Sequence, residues 1–452
     1  METPTVLDAL RLVVALIGAA VVVELVARRI RLPFTIGLVV AGLVVARLAA
    51  GAAIPITPDL VLSVLLPGLI FEAALRTEFE ELRPSILGVV LLAVPGVLIL
   101  AWLVAAVLSA TTGIPFGAAF LVGAMVAATD PAAVIATFKR IRAPRRLATI
   151  VEAESLLNDG TGIVLFSVAL AILTGVPSTG AGVDIVGGGA LAFLVSVAGS
   201  AVLGGAAGLL ASRLVAVTSD HLVELAASVV LAYGSFLLAA WLGWSGIIAT
   251  VTAGVTLGSY GRTHGLSPRA LETIDTVWEF IAFLLSALIF LALGLAISLE
   301  LVAGAVVPIA WAVAAVLLGR ALIVYGLVGG GAQLMSRVAP GRFRRAVIPT
   351  SWLHVLFWGG LRGAVSVGLA LSLPPDLPDR ELLQGITFGV VLFTLFVQGS
   401  TADLVVRRLI PDRGSGDTPG GGPTGEPGRG PDGEPASEPE RSTAPEQAPP
   451  LR

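Results

Sequence analysis

The run ILGVVLLAVPGVLILAWLVAAVLSA, residues 86–110, carries no charge, and its one hydroxyl, Ser109, leaves it without a polar face. A helix apolar all round has no side for water, so lipid or other helices must surround it. At 1.5 Å per residue the run rises about 37 Å, enough to cross a hydrocarbon core of about 30 Å. Residues 187–210 form a second stretch of the same kind. A membrane barrel would instead alternate apolar and polar residues in segments of about 10. The expected fold is therefore all-α and polytopic.

The rest of the chain agrees. Of 452 residues 56% are hydrophobic and 13% charged, and the mean hydropathy is +0.94, far from a soluble domain. With no cysteine, disulfides and thiolate metal sites are excluded. The net charge of -3 is diffuse and no basic, aromatic-rich stretch occurs, so no nucleic-acid partner is expected. Walker A, His-Glu-x-x-His and Gly-x-Ser-x-Gly sequences are all missing, which argues against an enzyme, a nucleotide-driven pump and a nucleotide partner. Membrane lipid is the expected surrounding, and no cofactor is implied.

Breaks at Pro, Gly and charged clusters divide the chain into thirteen spans near 6–27, 33–49, 57–78, 84–110, 115–138, 147–174, 184–213, 220–242, 246–261, 272–298, 301–333, 345–373 and 381–408. Loops after odd-numbered spans hold nearly all the basic residues, above all Lys139, Arg140, Arg142, Arg145 and Arg146. Loops after even-numbered spans hold only Arg47 and Arg380. Basic residues mark the cytoplasmic side, so the N-terminus is expected outside and the C-terminus in the cytoplasm. Glu2 and Asp8 precede the first apolar run and Arg28, Arg29 and Arg31 follow it, the reverse of a signal peptide, so that run is read as a retained span. Two regions result: a membrane domain, residues 1–410, and a Gly/Pro-rich tail, 411–452, expected to be disordered and cytoplasmic.

Ionisable side chains within a span are costly and mark function by default. Here they are Glu72 in span three, Asp130 in span five, Glu152, Glu154 and Asp159 in span six, Arg320 in span eleven and Arg362 in span twelve. Ser155, Asn158 and Asp159 stand at i, i+3 and i+4, which puts a hydroxyl, an amide and a carboxylate on one helix face. Asp159 lies roughly 18 Å from a start at Leu147, near the middle of the core. Pro131 removes a backbone donor and disfavours helix at Asp130, freeing carbonyl oxygens such as that of Thr129. An all-oxygen set of this kind suits a hard monovalent cation. Gly359-Gly-Leu-Arg-Gly363 predicts a second loosened helix in span twelve. Spans five and twelve run in opposite directions, as in two inverted six-helix repeats, spans 1–6 and 8–13, whose broken helices cross in mid-membrane.

Phe71-Glu-Ala-Ala74, Thr129-Asp-Pro131, Glu154-Ser-Leu-Leu-Asn-Asp-Gly160 and Gly359-Gly-Leu-Arg-Gly-Ala364 together resemble the cation/proton antiporter-1 family. That family holds bacterial NhaP-type antiporters and animal sodium/proton exchangers, and the likeness covers roughly residues 6 to 408. The resemblance implies that Asp130 and Asp159 are the exchanging carboxylates, with Glu72, Ser155 and the Thr129 carbonyl completing the cation ligands. It implies that Asn158, Glu154 and Pro131 organise the site and that a buried Arg, either Arg320 or Arg362, pairs with Glu154. It further implies a homodimer in the cell membrane exchanging Na+ for H+, with the Asn158-Asp159 pair resembling the electroneutral, one-for-one branch. Exchange of K+ or Li+ uses the same ligands and stays open, as does a passive cation channel.

Three features lie apart from this set. Glu24, four residues before Arg28, suggests a local ion pair; Glu272, Asp275 and Glu279 form an acidic helix entrance; His354 is read as a packed or interfacial histidine.

Overall fold

The computed structural model describes residues 6–30, 33–48, 59–77, 82–175, 185–218, 220–331, 333 and 348–410. Among these, every regular element is helical and no strand forms. The first half comprises α1 (Val6–Ile30), α2 (Phe34–Leu48), α3 (Leu66–Arg76), α4 (Ile86–Ala93), α5 (Pro95–Thr112), α6 (Phe116–Met125), α7 (Ala132–Ile141), α8 (Arg145–Thr174) and α9 (Ile185–Val215). The second comprises α10 (His221–Trp241), α11 (Gly246–Thr256), α12 (Pro268–Ala296), α13 (Leu299–Gly304), α14 (Val306–Ala321), α15 (Thr350–Trp358), α16 (Ala364–Leu371), α17 (Arg380–Phe393) and α18 (Ser400–Leu409). Wider π-helical stretches, Leu60–Leu65, Leu257–Gly261, Leu322–Gly330 and Thr394–Gly399, adjoin α3, α11 and α14 and join α17 to α18. Among the described residues, seven helical segments are long and apolar enough to cross a bilayer. The tail 411–452, the side chain of Arg28 and the basic residues Arg337, Arg342, Arg344 and Arg345 lie outside the described residues.

Proline and glycine set many of the boundaries. Pro115, Pro131, Pro144 and Pro349 stand immediately before α6, α7, α8 and α15, where a missing backbone N–H costs nothing. Gly113 and Gly175 end α5 and α8 at φ 73° and 67°, left-handed angles that favour glycine. The span expected at 84–110 forms one apolar segment, Ile86–Thr112, with a single turn at Val94 where Pro95, lacking an N–H, starts α5. One expected boundary is corrected. The helix expected from 272 begins at Pro268, where the Ser267 hydroxyl accepts from Ala270 N at 3.3 Å.

Small residues set the closest packing. A Cβ on Gly42 of α2 would lie 2.4 Å from the Leu291 carbonyl of α12, and one on Gly294 would lie 2.2 Å from the Val39 carbonyl. These helices meet backbone to backbone, as small residues permit where lipid supplies no hydrophobic drive. Around the site, α8 packs against α3, α6, α7 and α16, so one long helix touches both interrupted ones.

Candidate functional site

The two weak points expected in the sequence are breaks, and they meet. Helix stops at Met125 and resumes at Ala132; it stops again at Trp358 and resumes at Ala364. The Asp130 amide donates to the Leu361 carbonyl at 2.8 Å, so each interruption satisfies part of the other's backbone. Arg362 N donates to the Thr394 hydroxyl at 3.0 Å. That threonine opens the π-helical stretch between α17 and α18.

Four half-helix ends gather here, and each polarity meets its opposite. Asp130 Oδ1 accepts from Ala132 N at 3.0 Å at the N-terminus of α7. A Cβ at Gly363, the residue before α16, would lie 2.2 Å from Asp130 Oδ2, so only glycine lets that second N-terminus reach the carboxylate. The positive ends of two helices thus face one acid. At the C-terminal ends stand two arginines. Arg362, fully buried, donates from Nε to the Val126 carbonyl at 2.7 Å, just beyond α6, and from Nη1 to the Gly360 carbonyl. Arg320 donates from Nη2 to the Leu356 carbonyl of α15 at 2.8 Å.

Arg320 is also the partner of Glu154. Its Nη1 donates to Glu154 Oε1 and its Nη2 to Oε2 at 3.0 Å, with the two side chains 8% and 3% exposed. This buried, two-pronged pair resolves the choice between Arg320 and Arg362 that sequence left open.

Beside it, α8 grips the first break. Asn158 Oδ1 accepts from Thr129 N at 3.2 Å and its Nδ2 donates to Thr129 Oγ1 at 2.6 Å. The Ser155 hydroxyl donates to the Thr129 carbonyl. Asp130, Asp159, Thr129, Pro131 and Ser155 line one cavity of about 100 Å³, walled elsewhere by α3 and the start of α16. Among the described residues neither aspartate makes an ion pair. Oxygen is the available ligand, and among the described residues no three His, Cys, Asp or Glu side chains stand close enough together to hold a metal ion between them.

Not every expected residue joins this group. Glu72 does not line the cavity; its Oε1 lies 2.5 Å from Arg76 Nε, one helical turn on. Glu152, a membrane-embedded acid given no role by the sequence, does line it. Helical spacing contained the signal, since Glu152, Ser155 and Asp159 stand at i, i+3 and i+7 on one face. Thr394 was also missed, and no local signal distinguishes it from other threonines in apolar helices. Away from the site, Asp275 is paired with Arg262, and Glu279 lies 3.5 Å from Arg76. His354 shares a hydrogen bond of 2.8 Å with the Tyr325 hydroxyl.

An apolar helical bundle, with two interrupted helices meeting at a carboxylate-lined pocket, is the framework of a membrane transport protein. A family model described as "Sodium/hydrogen exchanger, transmembrane" matches residues 12–408. The chain belongs to that family. It is 37% identical over 384 residues to the low-affinity Na(+)/H(+) antiporter NhaS1 of Synechocystis, covering 84% of this chain and 70% of that one. It is 35% identical over 360 residues to the Na(+)/H(+) antiporter NhaP of Pseudomonas aeruginosa, covering 78% and 81%. The solved sodium proton antiporter MjNhaP1 from Methanocaldococcus jannaschii shares the fold, with a TM-score of 0.66, 20% identity and 88% and 99% of the two chains covered.

Proposed function

We propose that this protein exchanges Na+ for H+ across the cell membrane, one for one, by competition of the two ions for Asp130 and Asp159. The observation that carries the reading is that both carboxylates, without a cationic partner among the described residues, line one cavity with Thr129 and Ser155. Family membership and the antiporter names of the relatives support the direction of the chemistry.

Two acids sharing a poorly solvated pocket resist double ionisation. A proton or a cation must supply the missing charge, and each displaces the other. A loaded site can change sides, whereas an empty, charged one is too costly to move through the low-dielectric interior. Coupling then needs no separate proton gate. Ser155 and the Thr129 carbonyl complete the cation's oxygen shell, with Glu72 as a further ligand when it turns inward. Asn158 holds Thr129 in place, and the Glu154–Arg320 pair braces α8 against the second break. Around this site we propose thirteen spans in two inverted six-helix repeats, an outside N-terminus, a cytoplasmic C-terminus and a homodimer.

The test is reconstitution into liposomes with an internal pH dye, followed by pulses of Na+, Li+, K+ and Rb+. Sodium is expected to drive proton movement at a rate independent of an imposed membrane potential. As pH falls, protons fill the carboxylates and the apparent KM for sodium should rise. Cation flux without counter-moving protons would establish a channel instead, and a response to potassium alone would move the selectivity to K+.

A further inference from the structure

Glu72 is a carboxylate of α3 only 14% exposed, on the helix whose Leu66, Leu69, Ile70 and Ala73 line the exchange cavity. At 100° per residue it is turned about 60° beyond Leu69, on the strip of α3 next to the face that lines the cavity. What holds it is Arg76, whose Nε lies 2.5 Å from Glu72 Oε1. The Arg76 Nη2, in turn, lies 3.5 Å from Glu279 Oε2 on α12, a side chain 68% exposed. One guanidinium is therefore shared between a carboxylate beside the cavity and one at the surface.

We propose that Arg76 is a positioning residue for cation loading: it holds Glu72 off the cavity, and a cation recruits that carboxylate only by displacing the guanidinium. The inference rests on the antiport reading. Guanidinium and transported cation compete for the same oxygens, so the ion pair lowers the apparent affinity of the site. Glu279 opposes this by drawing Arg76 outward. The device needs no extra ligand and no rearrangement of either broken helix.

The test measures apparent KM and kcat for sodium-driven proton movement by the full chain in liposomes, at one fixed alkaline pH. Arg76→Gln is expected to lower KM by about threefold to tenfold, the scale of a partly buried ion pair, and Arg76→Lys should restore most of the wild-type value. The decisive variant is Glu72→Gln/Arg76→Gln, in which the gain should vanish. A gain that persists in this double variant would show Arg76 acting only as a distant charge, and an unchanged KM in Arg76→Gln would show no competition; either overturns the proposal. Should Arg76→Gln fail to fold, Glu279→Gln is the alternative: it leaves Arg76 to Glu72 alone and should raise KM about twofold, whereas a fall or no change overturns the idea. Wild-type liposomes that move no protons with any cation would sink the antiport reading itself, a separate outcome.

Discussion

Two groups of buried charge lie a few residues apart on α8, and they are built in opposite ways. Glu154 meets Arg320 through both carboxylate oxygens, and Arg320 also closes the end of α15. Asp159, five residues on, has no ion-pair partner among the described residues and faces a cavity with Asp130. A carboxylate whose charge is matched by a fixed cation has no reason to take up a proton or a metal ion. A carboxylate without one must take up something. Helix α8 thus carries a brace and an exchanger, and the position of arginine decides which is which.

The largest effect should come from the exchanger. Asp159→Asn or Asp130→Asn is expected to abolish sodium-driven proton movement in liposomes while the protein still accumulates and melts normally, because an amide offers neither charge nor a transferable proton. Wild-type rates in Asp159→Asn would place the chemistry elsewhere.

The brace should fail in the converse way. Arg320→Ala leaves Glu154 buried without a counter-charge, a change worth about 3–5 kcal/mol, so membrane abundance and melting temperature should both drop. Arg362→Ala removes caps at the Val126 and Gly360 carbonyls but strands no carboxylate, and its destabilisation should be the smaller of the two. Equal melting of the two variants would remove the distinction drawn here.

Between these lies Gly363→Ala. The added methyl would sit 2.2 Å from Asp130 Oδ2, and overpacking of that kind costs about 1–3 kcal/mol. Pushing the carboxylate away from α16 should also slow exchange by about tenfold or more, as measured in liposomes. Exchange at the wild-type rate would show that Asp130 needs no contact with the second break. The smallest effect is expected for Glu152→Gln, which removes one charge from the cavity wall. The sodium KM should rise by about twofold to fivefold with kcat nearly unchanged, since a wall charge concentrates cations without coordinating them. A fall in kcat alone would instead put Glu152 in the exchange step.

Much of this was legible before the fold was known. Apolar runs such as 86–110 mark membrane helices because hydrocarbon tolerates no unsatisfied backbone, and the two interruptions were legible because Pro131 and the glycines around Arg362 cannot hold a regular helix. The face bearing Ser155, Asn158 and Asp159 follows from a period of 3.6. Glu152 obeys the same arithmetic, and reading one turn further back would have included it. The Glu72–Arg76 pair is likewise local, at i and i+4.

Partnership across the chain was different. Glu154 and Arg320 are separated by 166 positions, and Arg362 is as buried and as close to a break as Arg320. Composition and periodicity rank the two arginines equally. Nothing local announces that Thr394 caps the Arg362 amide, or that Gly363 is needed because Asp130 occupies the space a methyl would fill. The sequence by itself determined the all-helical, apolar character of the chain, the two breaks at Pro131 and around Arg362, and the chemistry available at each, since those depend on residue type and spacing along one helix. Only the tertiary structure decided which charge is neutralised and which is left to exchange, because that depends on distances between helices that no local pattern encodes.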